Sequence, residues 1–409
     1  MVSRLGKRAD RESSNLRGSL ADGGHATPGH DLPGGRSSVP DRVRSSVNSV
    51  LEARSVVVIG AGQAGLSVAY YLRRLGLVPG RDLVILDRGP EPGGAWQFRW
   101  EALRLGSAHR VHDLPGMERT GLSFASADRR RPARDVVREY YGRYEEEFGL
   151  EVRRPEAVRR VTSASFRDTG SPLVIESERA TERARVLVNA TGTWGSPFVP
   201  YYAGRNRFRG AQVDTTEYVR AADFAGQQVL VVGGGTSAIG FLLELERVAR
   251  SLTWATRRPV TYHDGEQLAL ESAVEAVAEQ DRAARAGMPL PSIVGGTGVQ
   301  RTRRVVAGIE RGVLRERGMF SAIEEDGVRW PDGSFTRVDA IIWATGFRPE
   351  LRHLAPLGLR EREGGIAVED GASLTDPRIF FAGYGPTAST IGANRSGRRI
   401  ARSVIARLS

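Results

Sequence analysis

Cysteine is absent from all 409 residues. That excludes a disulfide framework, a thiolate metal site and a redox dithiol. Histidine is scarce as well: His25 and His30 belong to the N-terminal tail, and His263 and His353 stand at no metal-ligand spacing, so no metal centre is expected. No apolar run approaches the length of a membrane span and no signal peptide opens the sequence. A cytoplasmic protein with no membrane partner is the expectation. Lysine occurs once, at Lys7, and arginine carries the rest of a net charge of +11. Those arginines are spread along the chain rather than gathered in a stripe, so no nucleic-acid partner is expected. The excess positive charge helps attract polyanionic ligands instead.

Residues 1–53 hold no Phe, Trp or Tyr and show no apolar periodicity. Such a segment buries too little surface to offset its ordering entropy and reads as a disordered tail or an upstream-start extension. Asp10, Glu12, Asp22, Asp31 and Asp41 make it too acidic for a transit peptide.

From residue 54 onward the sequence is strongly patterned. Val56-Val57-Val58-Ile59 leads into Gly60-Ala61-Gly62-Gln63-Ala64-Gly65, and Val229-Leu230-Val231-Val232 leads into Gly233-Gly234-Gly235-Thr236-Ser237-Ala238. In each, a buried strand feeds a tight turn whose glycines let backbone approach a pyrophosphate. The helix after the turn aims its N-terminal N–H groups at the same group. Ala238 replaces the third glycine of the second copy, where the position only packs helix on strand.

The two units differ one strand later. Leu83-Val84-Ile85-Leu86 stops at Asp87 and Arg88, whereas Leu252-Thr253-Trp254-Ala255-Thr256 stops at Arg257 and Arg258. A carboxylate there accepts from a ribose diol, and guanidinium groups pair with a 2′-phosphate. FAD and NADPH are the pair that fits.

Elsewhere the pattern predicts helices over 63–75, 133–149 and 266–286, with Glu145, Glu146 and Glu147 as a solvated face of the second. Runs near 158–166, 172–177 and 184–190 predict an antiparallel meander. Ala190-Thr191-Gly192 and Ala344-Thr345-Gly346 each end a strand and bracket the second glycine turn. They suggest chain crossings between a first unit and a second unit inserted into it. The expected fold is α/β, with two Rossmann-like dinucleotide-binding domains: 54–195 and 346–409 for FAD, and 196–345 for NADPH.

In this order of motifs the chain resembles the class B flavoprotein monooxygenases, which include the flavin-containing and Baeyer–Villiger enzymes. Gly93-Gly94-Ala95-Trp96 is similar to that group's G-G-x-W, and the run from Phe381 through Gly383 to Gly385 matches its terminal segment. The resemblance implies that Gly60, Gly62, Gly65 and Asp87 hold the adenosine half of FAD, with Gly93, Gly94 and Trp96 along the isoalloxazine. It implies that Gly233, Gly235, Thr236 and Ser237 take the NADPH pyrophosphate. It also implies oxygenation of a small-molecule substrate by O2 through a flavin C4a-(hydro)peroxide.

There are departures. Phe208, Gly210 and Tyr218 keep the spacing of the group's linker signature, but Asp214 stands at its histidine. The asparagine of flavin-containing monooxygenases is missing near Gly106 and Ser107, and Asp113-Leu114-Pro115 only echoes a Baeyer–Villiger triplet. Trp96, Arg104, His109 and Arg395 are the catalytic candidates. Core or surface roles compete for His109 and His112, and a helix cap competes for Arg395. Two other readings stand beside the monooxygenase: an NADPH:acceptor reductase without a stable peroxide, and a flavin- and NADP-binding regulatory protein without turnover.

Overall fold

β1 (Arg54–Ile59) is buried from Val56 to Ile59 with no alternation, the pattern of a strand covered on both faces. In a computed structural model, which describes residues 53–108, 111–164, 169–264, 266–291, 298–388 and 390–409, it lies between two parallel neighbours. β2 (Leu83–Leu86) pairs on one side and β5 (Thr181–Asn189) on the other. β5 in turn pairs in parallel with the strand Ile379–Phe381. The expected tail, up to Glu52, and His109 lie outside the described residues.

β5 changes character along its length. Its first half alternates between exposed and buried residues and pairs antiparallel with β4 (Leu173–Ser177), which pairs antiparallel with β3 (Val158–Ser163). From Val186 to Asn189 it is buried on both faces and enters the parallel sheet. The predicted meander is present, and its last strand continues into the centre of the sheet.

Between β5 and its return at Ile379 the chain builds a second sheet. β6 (Ala211–Asp214), the strand Ala340–Trp343, β7 (Gln228–Val232) and β8 (Ser251–Ala255) stand in that order, all parallel. The second unit thus interrupts the first. Phe320 and Trp330, beside a three-stranded antiparallel sheet, cover one face of it with Leu230 and Val232.

α1 (Gln63–Arg74) follows β1 and packs along the C-terminal helix Thr390–Leu408, so closely that a side chain at Gly397 would strike Ser67. α2 (Ala133–Glu147) buries Val136, Val137, Tyr140, Tyr141 and Tyr144 as its spacing predicted. The solvated face expected of this helix needs one correction. Glu146 and Glu147 are exposed, but the Glu145 carboxylate is 11% exposed and takes two bonds from Arg154 at 2.6 and 2.7 Å. α3 (Thr236–Leu245) follows β7. α4 (Glu266–Arg285) reaches back to the first unit, where Ala284 joins Ile59, Leu351 and Tyr384 in one core. Among the described residues no helix is long and apolar enough to cross a membrane, and no acid, histidine or cysteine cluster could hold a metal ion.

Candidate functional site

The two motif classes of the sequence meet in space, twice. Gly60 has φ +103°, and a side chain there would collide with the carbonyl of Ala190. Gly233 has φ +133° and stands in the same relation to Ala344. The first glycine of each turn therefore needs both a left-handed backbone and the space of a missing Cβ. Each Ala-Thr-Gly strand exit lies against the turn of its neighbouring strand, and the ligand face is the carboxyl end of both sheets.

α1 and α3 begin at these turns with N-caps Gly62 and Gly235, no side-chain cap and no acid in the first turn. The helix Arg303–Glu310 differs, because Thr302 caps it by accepting from Val305 N at 3.3 Å. Uncapped N–H groups carry partial positive charge and suit a phosphate. The hydroxyls of Thr236 and Ser237 make no hydrogen bond among the described residues, and Ala238 is buried where the motif only packs.

Around the first turn the expected residues converge. The Asp87 carboxylate, 7% exposed, accepts from Ala61 N at 2.6 Å and from Gly89 N at 2.8 Å. Each oxygen keeps a second lone pair for a ribose hydroxyl. Arg154 Nε lies 4.0 Å behind it, and burial raises the pKa of Glu145 against the opposing pull of Arg154. Gly94 packs against Gly62, and Gly383 brings the C-terminal segment to Ala64. Gln63 donates to the His112 carbonyl at 3.1 Å. Arg88 is exposed and lies against Gly195.

Around the second turn, Arg257 and Arg258 are exposed at the end of β8 and, among the described residues, form no ion pair. They stand one strand from the uncapped α3, as a 2′-phosphate pair requires.

The segment after Gly93-Gly94 joins the two units. Gly94–Phe98 is a short 3₁₀ turn that buries Trp96 in the first core. Four residues later Trp100 is buried in the core of the second, its ring edge-on to Tyr218 and Phe241. Trp100 Nε1 donates to Glu244 at 2.9 Å, and Tyr218 donates to the same carboxylate at 3.2 Å. Burial raises the Glu244 pKa, the two donors oppose it, and burial beside Glu244 pushes the Tyr218 phenol up.

The crossings pair with each other as well. Phe198 N donates to Gly346 O at 2.9 Å, Arg348 N to Ser196 O at 2.8 Å and Glu350 N to Gly192 O at 3.0 Å. Thr191 donates to Glu350 O at 2.7 Å, Thr345 donates to Phe198 O, and Trp194 stacks on Phe347 with centroids 5.1 Å apart. Asp214 closes its own turn by accepting from Thr216 N at 2.7 Å and Thr216 Oγ1 at 2.6 Å.

The catalytic candidates divide. Trp96 is buried beside the first turn, whereas Arg104 and Arg395 are exposed. Sequence reasoning missed Arg99, which stacks on Trp194, and Asn394, whose amide donates to Asp113 O at 2.5 Å next to Gln63. Neither belongs to a spaced motif, and both are placed by tertiary packing. Two uncapped turns, one with a carboxylate at the next strand end and one with two free guanidinium groups, fit FAD and NADPH.

Comparison with known proteins agrees. The sequence model of the pyridine nucleotide-disulphide oxidoreductase family matches residues 57–280, more than half of the chain. The solved structure of a flavin-containing monooxygenase from Stenotrophomonas maltophilia is similar, with TM-score 0.72 and 32% identity over 87% of this chain and 99% of that one. Indole-3-pyruvate monooxygenase YUCCA4 of Oryza sativa subsp. japonica is 28% identical over 360 residues, 78% of each chain. The uncharacterized oxidoreductase CzcO of Bacillus velezensis is 26% identical over 345 residues, 80% of this chain and 90% of that one.

Proposed function

We propose site roles for a chain that belongs to the pyridine nucleotide-disulphide oxidoreductase family and, within it, to the flavin-containing monooxygenases. It is an FAD- and NADPH-dependent oxidoreductase that oxygenates a small organic molecule with O2. The dithiol chemistry in the family's name is closed to it, because it has no cysteine. The observation that carries the reading is the pair of uncapped glycine turns at the carboxyl ends of two parallel sheets, followed by Asp87 in one unit and Arg257-Arg258 in the other.

When bound, the two cofactors supply hydride transfer from NADPH and activation of O2 by reduced flavin. The chain binds, orients and shields. Gly60, Gly62, Gln63, Ala64 and Gly65 seat the FAD pyrophosphate on α1, and Asp87 accepts from its ribose while Arg88 closes over the edge. Gly93, Gly94, Trp96 and Gly383 bound the flavin ring, with Trp96 excluding water. Gly233, Gly235, Thr236, Ser237 and Ala238 form the second cradle, and Arg257 and Arg258 take the 2′-phosphate. Ala190, Thr191 and Gly192, with Ala344, Thr345 and Gly346, keep both strand exits narrow enough for close approach. Residues 54–195 and 346–409 serve FAD, and 196–345 serve NADPH, with the end of α4 leaning on the first unit. Arg104 and Arg395 face solvent and are assigned no step.

The chain acts in the cytoplasm without nucleic acid. Many of its arginines are engaged locally, as Arg311 is with Glu246 and Arg329 with Glu324, rather than presented as a basic face. The test is anaerobic mixing of the flavin-loaded protein with NADPH, followed by oxygen uptake with amines, sulfides and ketones. Rapid flavin reduction and substrate-stimulated uptake are expected. Reduction without oxygen transfer to any of them would make it a reductase.

A further inference from the structure

Among the described residues, one charge beside the meeting point of the two units has neither an ion pair nor a hydrogen bond. The Arg99 guanidinium carbon lies 4.1 Å from the ring centroid of Trp194 and 5.5 Å from that of Trp96. Its Nε is buried without a hydrogen-bond partner. Among the described residues no carboxylate comes within ion-pair distance of it, and its other guanidinium nitrogens make no hydrogen bond. Arg378 is held by Asp376 and Ser171 and Arg154 by Glu145. Arg183 Nε, like that of Arg99, is buried without a hydrogen-bond partner, but no aromatic face among the described residues lies over it. Burial without a nearby acid lowers the Arg99 pKa to about 10, so the group remains cationic at neutral pH.

Stacking explains only part of this arrangement. An aromatic face attracts the cation and fixes its plane, but it accepts none of the in-plane N–H bonds. The in-plane N–H groups are the ones that a planar acceptor pairs with bidentately, and among the described residues none of them has an acceptor. The aromatic neighbours of Arg99 are Trp96 from the turn after the first glycine motif and Trp194 from the outgoing crossing, itself stacked on Phe347 from the returning one. These three follow Gly94, Gly192 and Gly346 closely, near the carboxyl ends of the two sheets, where open α/β sheets bind ligands. The two uncapped turns and Arg257-Arg258 would serve the dinucleotide phosphates, which leaves this cation available to a third reactant.

We propose that Arg99, over the ring of Trp194 and near that of Trp96, binds the carboxylate of a planar aromatic acid and so sets the substrate class. The assignment rests on the monooxygenase reading above. A dinucleotide phosphate offers the guanidinium similar chemistry, and the test separates the two sources.

The experiment is calorimetric titration of the oxidised, flavin-loaded protein with 4-(methylthio)benzoate and with its neutral amide, in the absence of NADPH so that nothing turns over. The acid should bind at least tenfold more tightly than the amide. Arg99→Met should abolish that preference and Arg99→Lys should keep part of it, with the NADPH dissociation constant from anaerobic flavin reduction unchanged in both. Equal binding of acid and amide by the unaltered protein overturns the proposal without any variant, leaving Arg99 as a stacking contact. A preference that survives in Arg99→Met overturns it too, as does a loss confined to NADPH affinity, which would place Arg99 on a phosphate. NADPH-dependent oxygenation of the neutral amide tests the monooxygenase reading separately.

Discussion

Trp100 donates its indole N–H to Glu244 at 2.9 Å, and through that bond a residue four positions beyond Trp96 is fixed to α3, the helix after the second glycine turn. Glu244 also receives the Tyr218 hydroxyl, so the aromatic residue of the linker signature shares the same anchor.

Glu244 carries a pH signature. Burial raises its pKa above the ordinary 4.5, so the folded chain favours the protonated carboxyl more than the unfolded chain does. Its stabilising contribution is present below that ordinary value and lost as pH rises through the raised one. Glu244→Gln keeps an acceptor for Trp100 and removes the titration. Melting temperatures of the two proteins should diverge in favour of the variant as pH rises from about 4.5; parallel curves would refute the assignment.

His353 titrates with the opposite sign. It is buried, with Nε2 2.8 Å from Asn189 Oδ1, and burial lowers its pKa from 6.5 to about 4. Its stabilising contribution is present above pH 6.5 and lost as pH falls through about 4. The loss amounts to on the order of 3 kcal/mol, at about 1.4 kcal/mol per unit. His353→Gln should flatten the acid limb of a denaturation midpoint profile.

Asp87→Ala removes the acceptor of the Ala61 amide and, in the role proposed for it, that of the FAD ribose. A hydrogen bond to a charged group contributes about 1.5–3 kcal/mol, so the FAD dissociation constant should rise by roughly 10- to 100-fold. Reconstitution of the flavin-free protein followed by flavin fluorescence measures it. Retention equal to the unaltered protein would remove Asp87 from the ribose.

Replacing Arg257 and Arg258 together by alanine should lower kcat/KM for NADPH by roughly 10- to 100-fold, the loss of one or two charge-assisted pairs. NADH turnover should stay nearly constant, since both side chains are exposed and make no ion pair among the described residues. An unchanged ratio between the two dinucleotides would disprove their role.

The sequence is most legible where backbone conformation dictates residue type. Gly60 and Gly233 are required by left-handed turns pressed against Ala190 and Ala344, so both turns and both strand exits are visible as motifs. β5 is only half legible, because its switch from one covered face to two is set by which neighbours flank each half. Glu145 reads as a solvated helix position, and only Arg154, arriving from the loop beyond α2, buries it. Arg99 is one arginine among dozens until Trp194, nearly a hundred residues away, lies across its guanidinium.

At the centre stands the claim that this chain transfers one oxygen atom from O2 to a small molecule at the expense of NADPH. The direct measurement is turnover under ¹⁸O₂ with a panel of sulfides, amines and aromatic acids and their neutral amides, tracking product mass, NADPH oxidation and hydrogen peroxide together. One labelled oxygen in the product for each NADPH consumed, with little peroxide released, is the predicted result. Hydrogen peroxide equal to the NADPH oxidised, with every compound returned unlabelled, would contradict it.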